Sequence, residues 1–132
     1  MSPYRIIWCF VALFWLAGPV PAPAEDDRER VSPNIETQQA AALVRQGARV
    51  IDVRSPEELS ETGGIEGAVN IPHTEVDRIA ETIGDAKDQS VVLYCRSGRR
   101  VSLVIDALRE RGFSGLTNAG GFVDLNAALQ AP

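Results

Sequence analysis

The feature that most constrains this chain is a set of short, largely apolar, β-branched runs that alternate with segments of helical spacing. The runs are Val50–Val53, Ala68–Ile71 and Val91–Tyr94, with a weaker one at Leu116 and Thr117 and a candidate fifth strand at Val31–Ile35. They are continuous rather than alternating, as suits strands covered on both faces. Between and after them, apolar residues recur at helical intervals. One helix is marked by Ala40, Leu43 and Val44, with a stop near Gly47. A second is marked by Val76, Ile79, Ala80 and Ile83, with Thr74 as its cap and Gly84 as its stop. A third carries Val101, Val104, Ile105 and Leu108 and ends by Gly112, and a fourth carries Phe122, Leu125 and Leu129. Ser55, Pro56 and Glu58 form a capping-box pattern that predicts a short helical turn. Strands that alternate with helices imply an α/β fold, a small parallel sheet of about five strands with helices on both faces and right-handed crossovers.

The chain of 132 residues divides by composition into two unequal parts. All 18 acidic residues and 12 of the 13 basic ones lie at or after Glu25, so residues 25–132 carry a formal charge of −6. Residues 1–24 follow the plan of a secretory signal peptide: Arg5, an apolar stretch Ile6–Ala17, a Gly18-Pro19 break and small residues at Ala22-Pro23-Ala24. Twelve apolar residues fall short of the roughly 20 that span a bilayer. The expected organisation is therefore a cleaved leader at 1–24, a charged, flexible tail at 25–34 and a single domain at 35–132, exported, into the periplasm if the source is bacterial, with no stable membrane insertion after cleavage. The remainder holds one cysteine, Cys95, and one histidine, His73. One cysteine cannot form an internal disulfide or a Cys/His zinc cluster. An acidic domain without a Lys/Arg run is a poor nucleic-acid binder.

The strongest local signal is Val91–Val101, V-V-L-Y-C-R-S-G-R-R-V. A buried strand runs into Cys95, and an amphipathic helix begins five residues later. The thiol then sits at the carboxyl end of a parallel strand, where open α/β sheets place their ligands. It faces a helix N-terminus, which favours an anion. Arg96, Arg99 and Arg100 follow within five positions, and Gly98 lets successive N–H groups converge into an anion-binding nest. Each effect favours the thiolate. A lone cysteine after an apolar strand is more often an inert small hydrophobe. Three arginines and a glycine in the next five residues reverse that reading, because an inert cysteine has no use for them.

The stretch Cys95-Arg96-Ser97-Gly98-Arg99-Arg100 resembles the six-residue active-site loop of the rhodaneses, the thiosulfate sulfurtransferases. Val50–Arg54 resembles the family's D-V-R strand end, Gly64–Pro72 its G-H-I-x-G-A-x-N-I-P segment, and Asn118–Phe122 its G-G turn before the last helix. Two positions depart from the pattern: Gly63-Gly64 stands at the usual histidine, and about Leu125 at the usual tryptophan. With the leader, the chain most resembles small exported single-domain rhodaneses.

The resemblance implies a rhodanese-like fold and transfer of the sulfane sulfur of thiosulfate through a Cys95 persulfide to cyanide or a thiol, with release of sulfite. It implies no metal or cofactor. The backbone of residues 96–101 would hold the persulfide, and one or more of Arg96, Arg99 and Arg100 would attract the sulfonate. Asp52 and Arg54 would support the loop, with Asp52 a candidate partner of Arg100. His73, after a proline at a helix entrance, reads as a loop histidine rather than a base. Two rivals stand beside this reading. A cysteine phosphatase or arsenate reductase would use C-x5-R, which puts the arginine at residue 101, here Val101. A persulfide carrier or binding module would accept sulfur from a protein donor without rapid turnover of thiosulfate. The oligomeric state is open.

Overall fold

The computed structural model describes residues 33–132. The expected leader, and the charged stretch up to residue 32, lie outside the described residues. Among those described, no helix is long and apolar enough to cross a membrane.

Among the described residues five helices and four strands alternate: α1 (Pro33–Arg45), β1 (Arg49–Asp52), α2 (Pro56–Thr62), β2 (Val69–Asn70), α3 (Val76–Ile83), β3 (Val91–Cys95), α4 (Arg99–Glu110), β4 (Leu116–Gly121) and α5 (Phe122–Gln130). The strands form one parallel sheet in the order β2-β1-β3-β4. The runs at β1 and β3 form strands whose alternate side chains enter different cores, whereas β2 is only two residues long and its Val69 is exposed. Val91, Leu93 and Cys95 of β3 pack with Ile79, Ile83, Val101, Val104 and Leu108 of α3 and α4. Val92 and Tyr94 point the other way, into a cluster with Ala40, Ala41 and Leu125 of α1 and α5. All five residues of β3 are buried. Complete burial of one such aliphatic side chain contributes about 1.5–3 kcal/mol, which outweighs intrinsic strand propensity.

The order β2-β1-β3-β4 reverses direction between β1 and β3. In an open parallel sheet this switch point leaves a crevice beyond the carboxyl ends of the two strands. Asp52 ends β1, with Val53 and Arg54 just beyond it, and Cys95 ends β3, so the topology brings the two segments to the same crevice.

The α/β architecture with helices on both faces is as expected from the runs, but the described sheet has four strands rather than about five. Of the candidate strand at Val31–Ile35, the described residues 33–35 are helical, since Pro33 opens α1, and Val31 and Ser32 lie outside the described residues. A proline with its φ near −65° suits the first turn of a helix, and Ser32-Pro33-Asn34 interrupt the apolar run. The second correction concerns Thr74. The N-cap of α3 is Glu75, without a side-chain cap bond. The Glu75 N–H donates to the Pro72 carbonyl at 2.9 Å, and this turn delays the helix by one residue. The capping box at α2 forms as its sequence predicts: Ser55 accepts from the Glu58 N–H, and the Glu58 carboxylate accepts from the Ser55 N–H.

Candidate active site

Cys95 is fully buried at the end of β3. The chain then turns through Arg96, Ser97 and Gly98 into α4. Gly98 has φ +87°, in the left-handed region, and is the N-cap of α4. Its N–H donates to Cys95 Sγ at 3.0 Å. A side chain at Gly98 would put its Cβ 3.0 Å from the Gly120 Cα and 3.2 Å from Asn118 Oδ1, so glycine is required by both conformation and space. Gly121 faces the same loop from the start of α5, where a Cβ would lie 2.5 Å from the Arg96 carbonyl oxygen. The loop is thus pressed against the β4–α5 corner, and Cys95 is itself in register with Gly121 after an irregularity in the β3–β4 ladder.

The three arginines separate into two kinds. Arg100 is held by Glu58 through two hydrogen bonds, Nη1 to Oε2 at 2.7 Å and Nη2 to Oε1 at 2.8 Å. This bidentate pairing raises the Arg100 pKa above its ordinary value, the Glu58 hydrogen bond being the largest cause. It also lowers the Glu58 carboxyl to about 2, helped by the Ser55 N–H. Arg96 and Arg99 are exposed. Both border an open cleft of about 620 Å³ beside Ser97, Gly98, Asn118 and Asp124. Arg96 also borders a second cleft of about 320 Å³, lined by Arg54, Glu58, Phe122 and Val123. Its guanidinium-bearing chain therefore stands between two openings that flank the loop.

Asp52 does not partner Arg100. Its carboxylate is engaged by Arg54, which donates to it from Nε at 3.0 Å and from Nη2 at 2.7 Å, both side chains being buried. The reason is reach: Arg54 is two residues away and folds back, and its backbone N–H also donates to Asp52 Oδ1 at 2.9 Å. The pair raises the Arg54 pKa, with the Asp52 hydrogen bond as first cause. Two further Arg54 N–H groups donate to Thr62 Oγ1 at 2.8 Å and the Gly63 carbonyl at 2.7 Å. Its guanidinium lies 4.5 Å from the Phe122 ring centroid and 5.5 Å from that of Tyr94. Tyr94 is buried, and its hydroxyl accepts from the Ile65 N–H at 3.0 Å. Burial pushes its pKa up to about 12, with the nearby Asp52 carboxylate adding to the effect. Asp52 and Arg54 therefore join the end of β1 to the end of α2 and to α5. His73 is fixed by its backbone, whose N–H donates to the Val53 carbonyl at 3.0 Å.

Three residues that sequence reasoning gave no part in the site enter it here. Glu58 was visible only as a helix cap, since its partner lies 42 positions away. Tyr94 read only as part of a strand. Asn118 read only as a neighbour of the Gly-Gly turn, yet its side chain bonds the Gly98 carbonyl.

A thiol at a strand end, a donor N–H on the sulfur, a helix N-terminus and two exposed guanidinium groups can bind an anion and make a nucleophile. Comparison with known proteins gives this arrangement a family context. The model of the rhodanese-like domain matches residues 36–128. The thiosulfate sulfurtransferase PspE of Escherichia coli is 41% identical over 76 residues, which span 57% of this chain and 71% of that protein. The human thiosulfate:glutathione sulfurtransferase is 29% identical over 103 residues, spanning 68% and 89%. Among solved structures, a rhodanese with anions from E. coli superposes with a TM-score of 0.52 at 38% identity, covering 59% of this chain and 91% of its own.

Proposed function

This chain belongs to the rhodanese-like family of sulfurtransferases, and from that premise we propose that it transfers the sulfane sulfur of thiosulfate through a persulfide on Cys95. The observation that carries the reading is the contact of the Gly98 N–H with Cys95 Sγ at 3.0 Å, at the N-terminus of α4. In the first step the Cys95 thiolate attacks the outer sulfur of thiosulfate. A new S–S bond forms, the S–S bond of thiosulfate breaks, and its electron pair leaves with sulfite. The negative charge stays on the terminal sulfur of the Cys95 persulfide. In the second step cyanide, or the thiolate of an acceptor, attacks that terminal sulfur. Thiocyanate or a new persulfide departs, and the Cys95 thiolate returns. One transfer is divided into two, and ping-pong kinetics follow.

The protein's part is electrostatic and positional. Loop N–H groups oriented before the reaction stabilise the sulfur anion without reorganisation. Arg96 and Arg99, exposed beside the loop, would attract the sulfonate end of the dianion. Arg100, engaged by Glu58, would act mainly as a brace. Residue 101, where the phosphatase pattern requires its arginine, is a valine buried in the core, and this favours sulfur transfer over phosphate chemistry. The composition of residues 1–24 supports export of the domain, in the bacterial case to the periplasm, after cleavage of the leader.

The test combines mass and turnover. Incubation with thiosulfate should add one sulfur, about 32 Da, to the wild-type chain, and cyanide should remove it. Cys95→Ser should fold, take up no sulfur and release no sulfite. Sulfite release by Cys95→Ser, or turnover by a wild-type chain that never gains the mass, refutes the covalent mechanism.

A further inference from the structure

We propose that Asn118 is a positioning residue for the Cys95 loop, turning the loop's amide groups toward the sulfur; the proposal rests on the sulfurtransferase reading above. Asn118 lies on β4, outside the Cys95–Arg100 stretch and 20 positions from its nearest contact there. Its Nδ2 donates to the Gly98 carbonyl and to Ser102 Oγ, each at 3.1 Å. Its Oδ1 accepts from the Gly120 N–H at 2.9 Å. Both amide hydrogens and one lone pair are engaged, so the orientation of the group is fixed. Reversed, it would set oxygen against the Gly98 carbonyl and NH2 against the Gly120 N–H.

The consequence lies in the peptide plane between Gly98 and Arg99. The Gly98 carbonyl accepts from Asn118, from the Ser102 N–H at 3.1 Å and from the Ser102 hydroxyl at 3.3 Å. In a trans peptide the following N–H points opposite to the carbonyl. Holding this carbonyl along α4 aims the Arg99 N–H out of the helix N-terminus, and it fixes the residue whose own N–H meets Cys95 Sγ at 3.0 Å. The space beside the left-handed Gly98 toward β4 is filled by the Gly120 Cα and the Asn118 side chain. Asn118 therefore acts on the loop's backbone direction. Because it is only half-buried, its replacement opens no large core cavity.

Two variants separate positioning from simple support. Asn118→Leu removes donor and acceptor while keeping the branching at Cγ. Asn118→Asp keeps the acceptor for Gly120 and loses the donor to Gly98. Per folded molecule, each should lower kcat for sulfite release about tenfold with KM for thiosulfate held within about threefold, because the disturbed donors act on the sulfur as its charge changes. Alkylation of Cys95 by iodoacetamide at neutral pH should slow about threefold as the sulfur loses its donors. A merely structural residue would do the opposite, since a loosened loop uncovers the buried thiol and speeds alkylation. Faster alkylation, or unchanged kcat, overturns the proposal. Should neither variant fold, Ser102→Ala, at an exposed position of α4, carries the test: both rates should fall by a smaller factor, and unchanged rates refute the positioning role. If the wild-type chain released no sulfite, the sulfurtransferase reading would fail on its own, while the alkylation comparison would still decide the role of Asn118.

Discussion

Glu58 closes the first turn of α2 with one hydrogen bond and holds Arg100 with two. Its carboxyl is lowered from 4.5 to about 2, first by the Arg100 hydrogen bond. Because the folded value lies below the unfolded one, the stabilisation is complete above about pH 4.5 and disappears as pH falls toward 2. Glu58→Gln keeps the cap, since glutamine also serves at that position of a capping box, and removes only the ion pair. Both partners are about three-quarters buried, and solvent screening still limits the cost at pH 7 to about 1 kcal/mol, read by urea unfolding. The gap between variant and wild type should narrow steadily in acid; a gap that is constant from pH 7 to pH 3 would show that the pair does not stabilise the fold. The contrast with Cys95 shows what a sequence makes visible at this scale. The proposed nucleophile, its glycine and its arginines are neighbours in the chain, so their chemistry can be read from adjacency. The Glu58–Arg100 and Asn118–Gly98 bonds join segments 42 and 20 positions apart, and no local pattern marks them.

At the scale of elements, the loop is a joint between β3 and α4, closed by the β4–α5 corner. Gly121→Ala would place a methyl 2.5 Å from the Arg96 carbonyl, so either the corner or the loop must shift. Gly121 itself is extended, at φ −92°, and alanine adopts that backbone without strain. The substitution should therefore lower sulfite release about tenfold while costing no more than about 1–2 kcal/mol of stability. Full activity in the variant would mean that the loop tolerates the displacement. Asp52→Asn makes the converse separation at the end of β1. It leaves Arg54 buried against Tyr94 and Phe122 with its charge uncompensated, at a cost of about 3–5 kcal/mol. Chemical unfolding should show that loss, while the molecules still folded should form persulfide at near the wild-type rate. A loss under 1 kcal/mol would contradict the bracing role of the pair. Helices α1, α3, α4 and α5 and strands β1 and β3 were readable because their apolar positions repeat over whole elements, and α2, which buries no residue, was readable only from its capping box. The bounds of β4 were not, because Thr117, Asn118 and two glycines carry no hydrophobic pattern and are strand only through pairing with β3. The apparent fifth strand failed for the reverse reason: two apolar residues around a proline imitate a run, but helix α1 starts within them.

For the whole molecule, charge sets a conflict that the site must resolve. The chain carries a formal net charge of −5, and its proposed donor substrate is a dianion. The global field repels that substrate, and local cations must win near the thiol. Two of the arginines at the crevice are already committed, Arg54 to Asp52 and Arg100 to Glu58. The local attraction then falls to Arg96 and Arg99, and Asp124 on the same cleft opposes them. Salt separates the two fields, since the screening length contracts from about 30 Å at 0.01 M to about 3 Å at 1 M. In the wild type the near attraction dominates, so KM for thiosulfate should rise with added salt, by about threefold over that range. In the Arg96→Ala, Arg99→Ala double variant only repulsion is left, from Glu36 and Asp124 on the cleft and from the more distant net charge. Its KM should start higher, by about tenfold at low salt, and then fall as salt is added. Second-step transfer to dithiothreitol, which attacks as a monoanionic thiolate rather than a dianion, should depend less on salt in either protein. The sign of the salt dependence is thus the decisive measurement. Equal slopes in the two proteins would mean that substrate is drawn in by the loop's backbone dipoles, with Arg96 and Arg99 as bystanders.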